Sequence, residues 1–165
     1  MADRTITERL QPSLLDRLTD LEPDQKTEQR EARVIDIRRL REIIVRDLSW
    51  LLNTNNNDMV FDEGLYPHVS RSVLNFGVRE VAGDYASAQR ANAMRASIQR
   101  ALEYFEPRVK KGTLNVVLQV EEKASKTVIV FDIHADMWAQ PLPMELYLRS
   151  EVDVTTGDTR VERKV

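Results

Sequence analysis

The chain changes its hydrophobic period once, and Pro107 stands at the change. Before it, apolar residues recur at helical spacing, and after it they alternate. Proline disfavours helical dihedrals at the residue before it, so the helix leading into Glu106-Pro107-Arg108 must end at or just before Glu106. A helix C-terminus carries partial negative charge, and an anionic Glu106 there costs about 0.3–1 kcal/mol unless a cation meets it. Two cations can do so: Arg108, or a basic group on another protein. Gly112 then suits the turn into the first strand.

The helical part divides into segments. Residues 3–18 read as a short helix with Leu10, Leu14, Leu15 and Leu18 on one side. Asp20 to Arg33 is dense in charge and contains Pro23, which reads as a solvated linker in preference to a polar helix start. Residues 34–53 form a strong helix with Ile37, Leu40, Ile44, Leu48 and Leu51 on one stripe, and Glu42 and Arg46 spaced to pair. An asparagine run from Asn53 to Asn57 ends it. Residues 58–68 read as a loop. A short helical turn follows Pro67, with Val69, Val73 and Leu74 expected inside and Gly77 as its stop. A helix over 85–105 follows, with Asp84 as N-cap and Met94, Ile98, Ala101, Leu102 and Phe105 as its apolar face.

The alternating part reads as strands near 114–120, 127–136 and 144–154, with a turn at Thr155-Thr156-Gly157-Asp158 and a frayed edge strand in the tail. One face is apolar and the other charged, so the sheet is covered on one side only. The fold class is α+β: N-terminal helices packed on one face of a small C-terminal antiparallel sheet of three to four strands. The division is an N-terminal helix and charged linker over 1–33, then one domain over 34–165.

Composition narrows the chemistry. With no cysteine there is no disulfide, thiolate zinc site or cysteine nucleophile. His68 and His134 are too few for a multi-histidine metal site, and neither a metal nor a cofactor is expected. A formal charge of −3 argues against a nucleic-acid partner, and the arginines of 34–53 read as a solvated or protein-binding face. Membrane insertion is not expected, because no apolar run approaches the ~20 residues of a spanning helix. No apolar segment follows the first residues, so the expected location is the cytoplasm. Glu103, Glu106 and Asp132 could supply a catalytic carboxylate pair, and Asp132 with His134 an acid–base couple. In a chain with 27 acidic residues such pairs arise by chance, so no catalytic residue is assigned. Trp50 lies off the apolar stripe, as an interface anchor or as part of a wide core.

Three strings together resemble one family: Arg46-Asp47-Leu48-Ser49-Trp50-Leu51-Leu52-Asn53-Thr54, Tyr66 through Gly77, and Glu106-Pro107-Arg108. They are similar to the type VI secretion baseplate subunits called TssE, a family that includes a phage baseplate wedge protein historically labelled a lysozyme. The resemblance covers roughly residues 34–155. It implies a non-enzymatic wedge component at the cytoplasmic side of the inner membrane, whose partners are TssF, TssG, TssK and the sheath small subunit. The partner-binding residues expected on this footing are Glu106, Pro107, Arg108, Arg46, Asp47, Trp50, Asn53, Arg71 and Asn75. A free strand edge offers a second docking mode by β-augmentation. The competing functions are a muramidase and a small regulatory anti-adaptor on the same fold.

Overall fold

The computed structural model describes residues 13–20, 23–24, 35, 37–62, 64–80, 87–119, 127–138 and 144–164. Three helices come first: α1 (Leu14–Leu18), α2 (Ile37–Leu52) and α3 (Ala88–Phe105). Four strands follow: β1 (Asn115–Gln119), β2 (Val128–Met137), β3 (Met144–Asp153) and β4 (Thr159–Arg163). Of the helix expected over 3–18, only α1 falls within the described residues, and most of the charged segment before Arg33 lies outside them.

The apolar stripe of α2 is buried from Leu40 onward, with Ile44, Leu48 and Leu51, widened by Ile43 and Leu52, whereas Ile37, expected on it, is exposed in the first turn. Each fully buried side chain such as Ile44 or Leu48 contributes roughly 1.5–3 kcal/mol. The expected Glu42–Arg46 pair does not form. Glu42 is met from the preceding turn by Arg38 at 3.4 Å and Arg39 at 3.1 Å, which frees Arg46 for other carboxylates. α3 is capped by Ser87, whose Oγ accepts the Arg90 N–H, and the expected cap Asp84 lies outside the described residues. Its buried face is Ala91, Met94, Ile98, Ala101 and Leu102. The helix ends at Phe105, with Glu106 already non-helical, as Pro107 demands.

The sheet is an antiparallel meander in the order β1-β2-β3-β4. Ile133 sits opposite Val116 on one side and Leu148 on the other, so one face is continuous and apolar. α3 packs over β1 and α2 over β4, closing that face into the core. The charged face also buries Val130 and Asp132, and Asp132 Oδ2 accepts from Lys164 Nζ at 2.6 Å and its Oδ1 from Arg149 Nε at 3.4 Å. The tail expected to fray is a regular five-residue strand.

Between α2 and α3 the chain leaves the core and returns. A bridge between Asn55 and Val78 closes this excursion at its base, with Asn56 N–H donating to Val78 O and Val78 N–H to Thr54 O, both at 2.8 Å. Gly77 makes the closure possible: φ is +123°, and a Cβ there would lie 2.1 Å from the Thr54 carbonyl oxygen. Inside the loop, two 3-10 turns, Val69–Arg71 and Val73–Asn75, replace the expected helical turn. The burial expected for Val73 and Leu74 is reversed. Both face solvent, Val69 is half-buried, and the residue turned inward is Asn75.

Candidate partner-binding site

Pro107 turns the chain out of α3 so abruptly that the Arg108 guanidinium folds back on the Glu106 carboxylate. Arg108 Nε donates to Glu106 Oε1 at 2.6 Å and Nη2 to Oε2 at 2.5 Å, a bidentate fork. The Arg108 backbone N–H also donates to Oε1, at 3.0 Å. Nη2 reaches on to Asp47 Oδ2 of α2 at 2.9 Å. The other Asp47 oxygen accepts from Arg46 Nε at 3.0 Å and Nη2 at 2.6 Å. Arg46 then forks onto Asp16 of α1, at 2.6 and 3.1 Å. Three carboxylates and two guanidiniums thus alternate along one chain, from the α3–β1 corner across α2 to α1.

The protonation states follow from these contacts. For Asp16 the Arg46 hydrogen bond is the largest influence, and with help from Ser13 it holds the carboxyl below its ordinary value against burial. For Arg46 the Asp16 hydrogen bond raises the pKa, opposed by burial and joined by Asp47. Burial works against a charged Arg108, but the bonds and charges of Glu106 and then Asp47 more than offset it. Asp16, Arg46 and Arg108 are each held in the charged form by these contacts.

This geometry decides between the two cations open to Glu106. Arg108 takes it. Glu106 is only 4% exposed with both oxygens bonded, so its carboxylate is not offered to a basic group elsewhere. The corner instead presents Pro107, Lys110, Lys111 and Trp138 outward. Trp138 had no reading in sequence. Its backbone N–H donates to Arg108 O at 2.7 Å, and Val109 bridges Met137, so the end of β2 stacks this tryptophan beside the corner, 68% exposed. Its place just past the last alternating residue of β2 was the available signal.

The other expected residues disperse. Trp50 is 52% exposed, which settles it outside the core, with the Arg46 guanidinium 4.9 Å from its ring centroid. Asn53 leaves the end of α2 and clamps β4: its Nδ2 donates to Thr159 O and its Oδ1 accepts the Thr159 N–H, both at 2.8 Å. Arg71 lies over the Tyr104 ring of α3 at 5.2 Å. Asn75 is 4% exposed and centres the loop. Its Oδ1 accepts the Asn57 N–H at 2.9 Å, and its Nδ2 donates to Asp58 Oδ1 at 2.7 Å and Ser70 O at 3.3 Å. Asp58 ties this hub to α3 through Arg100 at 3.3 Å.

A family model described as baseplate wedge protein gp25 matches residues 38–142, well over half of the chain. The chain belongs to that family. The match spans α2, the closed loop, α3, the corner and the first two strands. It places the protein among structural baseplate components that assemble with other baseplate subunits. Neither curated proteins nor solved structures give a significant match. Among the described residues no helix is long and apolar enough to cross a membrane, and no group of three or more carboxylates and histidines is placed to hold a metal ion.

The candidate acid–base couple is otherwise engaged. Burial would push Asp132 up, but the Lys164 hydrogen bond and the charges of Lys164 and Arg149 hold it below the ordinary carboxylate value. His134 packs edge-on against Tyr147, with ring centroids 3.7 Å apart.

Proposed function

We propose that this gp25-family chain is a non-enzymatic wedge subunit of a type VI secretion baseplate, one that helps join the baseplate to the contractile sheath and nucleate its assembly. The observation that carries the reading is the Glu106-Pro107-Arg108 corner, fixed against Asp47 of the Arg46-Asp47 string, in a member of a baseplate wedge family. A corner whose charges are already paired gives up little freedom on docking, so its shape is preorganised. Its partners on this reading are TssF, TssG, TssK and the sheath small subunit, and it works at the cytoplasmic side of the inner membrane, with residues 34–165 as the working domain. Contact is made by Pro107, by the outer side of Arg108 and by Trp50, with Glu106, Asp47 and Arg46 positioning them from within. The outer edge of β4, which no described strand covers, offers a second contact by strand addition.

A muramidase would need a carboxyl raised toward neutrality to act as the acid. Asp132 is shifted the opposite way, and Glu106 is forked by Arg108.

The test is sheath assembly in cells. Arg108→Lys keeps the charge and removes the planar fork. Fluorescent sheath counts should fall at least tenfold while the protein level holds. Normal sheath counts in a cell carrying a folded Arg108→Ala chain would remove the corner from the reading.

A further inference from the structure

The helix α1 is held to the molecule by charge and not by burial. None of its five residues is buried, and Leu14, Leu15 and Leu18 stand 71%, 47% and 75% exposed. It is closed on itself at both ends. Ser13 Oγ accepts the Asp16 N–H, and the Thr19 N–H and Oγ1 both donate to Leu15 O. A helix this short does not stand alone in water, so a contact outside it must hold it. Among the described residues, the bonds from α1 to the rest of the molecule are the fork from Arg46 to Asp16, at 2.6 and 3.1 Å. The Asp16 side chain is thereby reduced to 10% exposure, while the leucines around it stay in solvent.

Arg46 is set to receive a carboxylate without help from α1. Its Nε and Nη2 donate to Asp47 Oδ1 of the same helix, at 3.0 and 2.6 Å, which fixes the plane of the guanidinium. The Trp50 ring, one turn further on, has its centroid 4.9 Å from the guanidinium carbon. The remaining edge, Nη1 with Nη2, has the planar geometry that a carboxylate meets with two bonds. Asp16 fills that edge, and it is a replaceable occupant. The Arg46 side chain is 32% exposed, and ion pairs this open are weak and screened by salt. Departure of α1 uncovers no apolar core, because the docked helix buries none.

We infer that the Nη1–Nη2 edge of Arg46, backed by Trp50, is a carboxylate-binding site that Asp16 fills in the free subunit and that an aspartate or glutamate side chain of a partner takes in its place, releasing α1. The inference rests on the wedge reading for the source of the incoming carboxylate. Replacing one carboxylate by another leaves the charge around Arg46 unchanged, so the ion chain from Glu106 through Arg108 and Asp47 persists while its last member is exchanged.

The test has two arms, both on the full chain. In the free subunit, amide exchange at Arg17 and Thr19, whose N–H groups close α1, reports docking of the helix. Asp16→Asn should speed it about two- to fivefold, as should high salt on the wild type, with exchange in α2 unchanged. In the second arm the tagged chain is co-expressed with TssF and TssG. Asp16→Asn should recover about two- to fivefold more of both subunits, because the fork is no longer filled from within. Arg46→Lys keeps the charge, loses the fork and should recover about fivefold less. Neither position lies in the core, so both variants fold. Unchanged exchange in Asp16→Asn would overturn the inference, since the fork would not be what holds α1. Recovery lowered alike by Asp16→Asn and Arg46→Lys would also overturn it, making the pair a fixed strut. Unaltered recovery with both variants would overturn the site and leave the wedge reading intact. Recovery of neither subunit by wild type would overturn both.

Discussion

The corner and the loop handle polarity in opposite ways. At the corner, the most charged motif of the chain turns its charges inward, and Arg108 bonds Glu106 and Asp47 in place. In the loop, the amides turn inward around Asn75 and the apolar side chains turn outward. The difference teaches that a conspicuous charged motif can act by setting shape, while a segment that looks like a connection can be held from within by its amides.

Variants can break this comparison. The largest expected effect is at the corner. Arg108→Ala leaves a buried Glu106 carboxylate without its cation, and removing one partner of a buried pair costs about 3–5 kcal/mol. Urea unfolding should show a loss of that order, and an unchanged midpoint would mean the corner is not structural. Next comes the hub. Asn75→Ala strands the Asn57 N–H and the groups facing it, at about 1–3 kcal/mol, and should raise amide exchange across 57–76 more than in the sheet. Uniform exchange would show that the loop is not held by its amides.

The smallest effect is acid sensitivity. Asp16 and Asp132 both have pKa values lowered by folding, so their stabilisation is present above the unfolded value of about 4 and is lost as pH falls through the folded values. Thermal melts should drop steeply below about pH 4. Lys164→Met should melt lower than wild type at pH 7, with the gap closing in acid as Asp132 is neutralised. A gap independent of pH would place the Lys164 effect outside its ion pair.

Much of the fold was legible because period carries it. The stripes of α2 and α3, the alternation of β1 to β3 and the break at Pro107 each follow from local sequence; the stripes miss only at their ends, where Ile37 is exposed and Phe105 half-buried. The caps and pairs were less legible. Glu42 and Arg46 have favourable spacing on a helix, yet Arg46 found Asp16, thirty positions away, and no periodicity announces such a partner. Val73 and Leu74 misled because an apolar residue in a short turn carries no record of which side the turn shows to the core. The motif strings located the corner and the loop, but burial decided what each could offer. Trp138 became visible only when the end of β2 was laid beside Arg108.

The Asn53 clamp has a consequence for how subunits could be stitched together. Asp153 N–H donates to Asp158 O and Lys164 N–H to Tyr147 O, so in this antiparallel register the backbone groups of Thr159, Val161 and Arg163 point away from β3. Asn53 already occupies both groups of Thr159. Among the described residues the outward rungs left are those at Val161 and Arg163. A side chain at the end of a helix thereby closes the first rung of this edge and leaves a short ladder of two for the next molecule to join.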